Sequence, residues 1–322
     1  MDPRPQQDLP LRADTVGPVL HEVCAQLDLP LPGSGGTFER WRQLAELSAR
    51  DLTLGRLVEA HADALAILAE LDGPAAAPGA TYGVWAAEPP AVRVTAERTV
   101  DGWLLTGRKP WCSGAAVLDR ALVTAHAGDG RRLFALDVRE VTVEPGTWSA
   151  VGMAASGSFA VTLEQVRAEP VGGAGAYLQR PGFWHGGAGV AACWYGGALG
   201  AARMLLAAAR AREAGPHLLA HLGSVDALVA GTAAHLRVAA DEIDRDPCGD
   251  GAQQRAMRLR ARVEAAATEI LDRVGRALGA GPLCLDPVQA QRAADLPVYL
   301  RQSHAEADLA GLGALAVEGA GW

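Results

Sequence analysis

The stretch Gly102-Trp-Leu-Leu-Thr-Gly-Arg-Lys-Pro-Trp-Cys-Ser-Gly-Ala115 carries more structural information than any other part of this chain. Trp103 and Leu105 alternate with Leu104 and Thr106, Gly107 interrupts, and Trp111, Cys112 and Ser113 resume an extended run that stops at Gly114. The pattern predicts two short strands around a turn. An aromatic ring followed two residues later by a hydroxyl, on one face of a strand, can stack on a flat heterocycle and hydrogen-bond its edge. A buried hairpin with Trp111 as core and Ser113 as a turn residue satisfies the same pattern, so the flanking sequence has to decide.

On both sides the alternating period continues, from Tyr82 to about Val171. Val92–Thr95, Ala121–Thr124, Leu133–Leu136, Val141–Val143 and Phe159–Leu163 follow one another, with Gly, Asp and Pro turns between them at short intervals. This predicts a small antiparallel β unit, a barrel or sandwich, over residues 80–172. No strand is followed by G-x-G-x-x-G, so a dinucleotide-binding βαβ unit is not indicated. Further out the period becomes helical. Residues 1–14 read as a loosely packed arm, and helices are expected from Thr15 and from Thr37 to about Leu68, giving a helical domain over residues 1–79. His61 lies between Leu57 and Leu65 and reads as a satisfied core histidine. Beyond the Gly172–Gly175 linker, helices are expected over 184–214, 217–244, 253–278 and 287–312, a four-helix bundle within residues 173–322. The first is rich in glycine, as in Gly186-Gly187 and Gly196-Gly197. Each interior glycine costs about 1 kcal/mol relative to alanine, so a flat ligand or another helix should approach that backbone closely.

Composition narrows the function classes. The chain has 322 residues, 49% of them hydrophobic, enough for a large core, and a net charge of −8 with scattered arginines. A nucleic-acid surface would need clustered basic residues, so that class is excluded. No apolar run of membrane-span length is read in the sequence and the first residues are polar and proline-rich, so a cytoplasmic protein without a membrane anchor is expected. Five cysteines, odd in number and without a C-x-x-C pair, fit reduced thiols. His217 and His221 have metal-ligand spacing but no third ligand at a telling interval, and no metal site is expected. Asp244–Asp250 lacks the closing glutamate of a calcium loop, and no serine sits in G-x-S-x-G.

The order helices, β unit, helices, together with Trp85-Ala86-Ala87-Glu88-Pro89, Gly102–Gly114 and Leu278-Gly279-Ala280-Gly281, resembles the acyl-CoA dehydrogenase superfamily over roughly residues 37–315. The resemblance implies an α+β fold with an N-terminal helical domain, a middle antiparallel β-barrel and a C-terminal four-helix bundle, assembled as a homodimer or homotetramer. It implies FAD, held by Trp111 against the ring and Ser113 at its edge, with Gly114 and Glu88 nearby. Gly279 and Gly281 would meet the FAD of a neighbouring protomer.

Several positions depart from the family pattern. The N-terminal region is short, Pro90–Arg93 replaces Gly-Ala-Gly-Ser-Asp, and Leu219 stands where an arginine reaches a neighbour's FAD phosphate. The family's glutamate base is missing from both of its usual positions, which fall on Ser303 and about Val190. His304 and Glu306 are the local candidates, with His185 behind them, and Asp308 is spaced to orient His304. The resemblance therefore implies a flavin oxidoreductase performing α,β-dehydrogenation of an acyl substrate, acyl-CoA or a related thioester, with a non-standard base. The alternatives are a flavin-dependent monooxygenase or tailoring oxidase of the same fold, and a flavin-free pseudoenzyme or binding subunit.

Overall fold

The computed structural model describes residues 10–90, 92–211 and 213–319. Three helices come first: α1 (Val16–Gln26), α2 (Thr37–Arg50) and α3 (Leu52–Glu70). Seven strands follow: β1 (Tyr82–Trp85), β2 (Val94–Thr99), β3 (Gly102–Cys112), β4 (Arg120–Ala127), β5 (Gly130–Asp137), β6 (Thr142–Glu144) and β7 (Phe159–Val171). The chain then returns to helix in α4 (Ala176–Gln179), α5 (Gly182–Arg210), α6 (Pro216–Arg245), α7 (Ala252–Leu278), α8 (Ala280–Leu285), α9 (Pro287–Leu300) and α10 (Glu306–Glu318). Of the expected N-terminal arm, residues 1–9 lie outside the described residues, as does Ala91 of the Pro90–Arg93 segment. Leu11 does not behave as part of a loose arm: it is buried, and its N–H donates to the carboxylate of Asp51, which also caps α3.

The expected antiparallel barrel and four-helix bundle are both corrected. Strands β4, β2, β3, β7 and β5 form a ring that closes through β4 and β5. A ring with an odd number of strands cannot alternate direction all the way round, and the parallel contact falls between β2 and β4. A second parallel pair joins β1 to β4, so the sheet is mixed. Nor is Gly102–Ala115 a pair of strands around a turn. Gly102–Cys112 is one strand, with a register shift at Gly107, whose φ of +139° sets its backbone against Arg93 O.

On the C-terminal side the helix expected over 287–312 breaks between α9 and α10, where Ala305 takes φ +48° and donates its N–H to Ser303 Oγ. The long helix α5 packs on α2 and α3 as well as on α6 and α7, so N- and C-terminal helices share one layer. By length and composition α5 could span a membrane, contrary to the sequence expectation, but 61% of its apolar window is buried inside the protein. One apolar cluster runs from Trp41 and Leu44 through Trp85 and Phe134 to Trp194, Leu259 and Tyr299.

Close helix approach is visible at Gly196, where a Cβ would stand 2.2 Å from Ala45 O of α2. Gly196→Ala is expected to lower stability by about 1–3 kcal/mol through overpacking, despite about 1 kcal/mol of better helix propensity. Gly223→Ala in α6, where nothing lies within 4 Å, should gain up to about 1 kcal/mol. Urea unfolding of the two variants checks the contrast.

Candidate functional site

A cavity of about 820 Å³ lies between the barrel and the helices, within the size range of small-molecule sites. Its walls come from α3, β1, the end of β3, the segment between β6 and β7, α4 and α5, α7, and the α9–α10 break. Six aromatic side chains line it: Trp111, Trp148, Tyr177, Phe183, Trp184 and Tyr299.

Trp111 stands out on conformation and exposure together. Its φ is +58°, within the second register shift of β3 between Lys109 and Cys112, and its side chain is 56% exposed. A bulky residue in the left-handed region costs of order 1–3 kcal/mol and persists where surrounding structure imposes it. The bulge turns the indole out of the barrel core and into the cavity wall. Two residues on, Ser113 Oγ lies 2.9 Å from Ser158 Oγ, which lies 2.9 Å from Ser156 Oγ, which donates to Met153 O at 2.7 Å. All three serines line the cavity. Gly114 N–H donates to Ser156 O at 2.7 Å and ties the two segments together.

The opposite wall is charged. On α3, Arg56 donates to Glu59 at 2.9 Å, and Asp63 sits one turn on, 3.6 Å from Arg180, which itself pairs with Glu70 at 2.6 Å. Burial pushes the Glu59 carboxyl up to about 7; the Arg56 guanidinium opposes the shift and the charge of Asp63 adds to it. Asp63 accepts no hydrogen bond from any described residue. Arg260 donates to Gly187 O at 2.8 Å and to Gln302 O at 2.9 Å and lies over Trp194, closing the wall between α5 and the end of α9. Sequence reasoning missed Arg56, Glu59 and Asp63. Their signal was the spacing i, i+3, i+7 of charges within an apolar helix, which places them on one face.

Of the residues singled out from sequence, Trp111, Ser113, His304 and Asp308 line the cavity. His304 Nδ1 lies 3.3 Å from Asp308 Oδ1, and the backbone N–H of His304 donates to Asp308 Oδ2 at 3.0 Å. His304 is exposed at the rim, so its ring is solvated. Glu306 is exposed and forms no part of the wall. Glu88 also stays out of the wall, which takes Ala86 and Ala87 instead. Its carboxylate sits 3.4 Å from Lys109, 3.1 Å from His126 and 3.2 Å from Arg131; burial raises its pKa, but a hydrogen bond with Thr124 and then the neighbouring charges, led by Lys109 and Arg131, outweigh burial and hold it below the ordinary value.

Gly279 and Gly281 lie at the α7–α8 junction, away from the cavity, and Gly114 acts through its backbone N–H. Val190 lines the cavity and Ser303 is buried beside it, so neither usual base position presents an acid. The His185 ring donates to Pro247 O at 2.8 Å, away from the cavity. His61 accepts the Tyr82 N–H at 3.1 Å, and burial pushes it down to about 4, as a core histidine.

No protein-family model and no curated protein matches the sequence. Solved structures do match by fold. The TdsC of Paenibacillus sp. A11-2 bound to FMN and indole superposes with TM-score 0.73 at 20% identity, over 87% of this chain and 82% of its own. XiaF from Streptomyces sp. in complex with FADH2 and glycerol gives 0.73 at 21% identity, over 94% and 86%. The methanesulfinate monooxygenase MsuC of Pseudomonas fluorescens gives 0.72 at 17%, over 94% and 89%. TdsC, also described as a dibenzothiophene monooxygenase, and MsuC are monooxygenases, TdsC and XiaF are seen with FMN and FADH2, and at such identities the likeness establishes a shared fold.

Proposed function

We propose that this chain is a flavin-dependent monooxygenase acting on a small, flat, largely apolar substrate. The observation that carries the reading is the pairing of Trp111 and Ser113 on one wall of an aromatic-lined cavity that has no carboxylate at Val190 or Ser303. The donor set fits a flavin ring: an exposed indole offers a stacking face and a row of hydroxyls offers an edge. The chemistry such a ring supplies is two-electron reduction of dioxygen. The aromatic side chains orient a flat substrate, and Glu59 on the charged wall exchanges a proton near neutral pH at its carboxyl oxygens.

TdsC binds indole together with FMN and is also described as a dibenzothiophene monooxygenase, which supports an aromatic guest here. FMN and FAD both belong to the proposal, in place of FAD alone, as do a homo-oligomer and a cytoplasmic location. Dehydrogenation of an acyl thioester is the lesser reading, because His304, the rim group that would serve as base, is solvated.

The test supplies purified protein with FMN, NADH and a flavin reductase under isotopically labelled dioxygen, with indole and dibenzothiophene as trial substrates. Incorporation of one labelled oxygen atom is the expected result. Anaerobic bleaching of bound flavin by an acyl-CoA, with no label incorporated, would restore the dehydrogenase.

A further inference from the structure

We infer that the carboxylate of Asp63 selects, among flat aromatic substrates, those that carry a neutral N–H or O–H at the ring edge. This substrate class rests on the monooxygenase reading above and narrows it.

Asp63 lines the cavity on the wall opposite Trp111 and Ser113, with its side chain 15% exposed. A carboxylate offers about four lone-pair sites, and one this deep is costly to leave without a donor. The neighbouring donors go elsewhere. Arg180 donates from Nη1 to Glu70 Oε2 at 2.6 Å, and its Nη2 stays 3.6 Å from Asp63 Oδ1, beyond hydrogen-bond reach. Gly182 N–H donates to Glu70 at 2.9 Å, Arg56 to Glu59 at 2.9 Å and Arg40 to Pro30 O at 3.2 Å.

Charge is not what Asp63 lacks. Glu59 and Glu70 pair with Arg56 and Arg180, and the buried guanidinium of Arg40 acts on Asp63 through space and balances it. A protonated amine would enter beside three guanidinium groups, whereas a neutral N–H or O–H brings the missing hydrogen without a charge. The surroundings suit the edge of a ring. Gly186 lets the carboxylate lie against α5, since a Cβ there would stand 2.6 Å from Asp63 Oδ1. One turn earlier on α5, Phe183 meets Tyr177 edge-on at 5.5 Å and Trp184 edge-on at 5.2 Å, and all three rings line the cavity. A flat guest packed against these rings brings its edge to Asp63. A site built round an acceptor penalises an isostere that lacks the donor, because the acceptor is then covered without a partner.

Indole and benzothiophene are near-isosteres that differ in N–H against sulfur, and 1-methylindole blocks the N–H. Equilibrium dialysis of the full chain against each, with and without saturating FMN, reads the preference directly. Indole is expected to bind at least about tenfold more tightly than either analogue. In Asp63→Leu the ratio should fall to about one. Gly186→Ala keeps the charge, suits a helix and crowds Oδ1, so it should lower the ratio too, and it serves if the leucine variant does not fold. Equal binding of the three ligands by the wild-type chain, or binding of none, overturns the inference while labelled-oxygen incorporation from another substrate would leave the monooxygenase reading standing. An indole preference that survives both variants also overturns it. So does an Asp63→Leu protein that loses FMN affinity and keeps the preference, since the carboxylate would then serve the flavin. A preference abolished by Asp63→Leu, in a chain that incorporates no labelled oxygen, upholds the role of Asp63 and removes the monooxygenase.

Discussion

Arg56→Met is expected to cost about 3–5 kcal/mol of folding stability at pH 8 and much less at pH 5, because the substitution strands a buried carboxylate that can escape its charge only by taking up a proton. Arg56 and Glu59 are 2.9 Å apart with side chains 14% and 5% exposed, so solvent screens little of the pair. A carboxyl whose folded pKa is raised lends its full stability below the unfolded value and loses it as pH rises through the folded one. For Glu59 that window runs from about 4.5 to about 7. Glu59→Gln should therefore flatten the decline of wild-type stability across those pH values. The double variant Arg56→Met/Glu59→Gln should recover most of what the single arginine substitution loses. Urea denaturation followed by circular dichroism at pH 5 and pH 8 gives all of these quantities. An Arg56→Met loss that is equal at both pH values would show that the arginine matters for packing rather than charge.

Trp111→Gly should separate stability from binding. Glycine relieves the φ of +58°, and the indole is more than half exposed, so the fold should be unchanged or more stable by up to about 1 kcal/mol. Flavin binding should suffer in the same variant. Covering an indole face of order 100 Å² is worth about 2.5 kcal/mol, or roughly 70-fold in affinity. Thermal unfolding and a flavin titration on one preparation test both halves. A Trp111→Gly protein that unfolds more readily and binds flavin normally would return Trp111 to the status of a core residue.

The reach of the sequence differed from element to element. Helix and strand periods placed α5, α6 and α7 within a few residues, ran α2 and α3 together as one region from Thr37, and located the strands between Tyr82 and Val171, because burial of one face imposes those periods directly. The parallel contact of β2 with β4 was hidden, since it follows from which strands pair around a closed ring, and no local pattern records ring closure. The break before α10 was hidden as well. Arg301-Gln302-Ser303-His304 is compatible with helix, and the left-handed residue there is an alanine. At the cavity, the i, i+2 spacing drew attention to Trp111 and Ser113, although it is a bulge, and not regular strand alternation, that turns Trp111 outward. Ser156 and Ser158 could not be linked to Ser113 from spacing, because a 45-residue separation is closed only by the β3–β7 pairing. The α3 charges were overlooked because Leu54, Leu57, Leu65 and Leu68 dominate the pattern around them.

The closed ring of five strands also bears on how the molecule keeps to itself. A sheet that ends in open strands offers its unpaired N–H and C=O groups as a template on which other chains can polymerise. Among the described residues, ring closure leaves as outer strands only β1, with four residues packed against α3, and β6, with three residues whose Glu144 is engaged by Arg108 and Thr162. Short, charged or covered margins of this kind resist edge-to-edge aggregation. A protein that holds an open, aromatic-lined cavity with an outward-facing tryptophan thus has, among its described residues, little exposed β-sheet through which to self-associate into fibres.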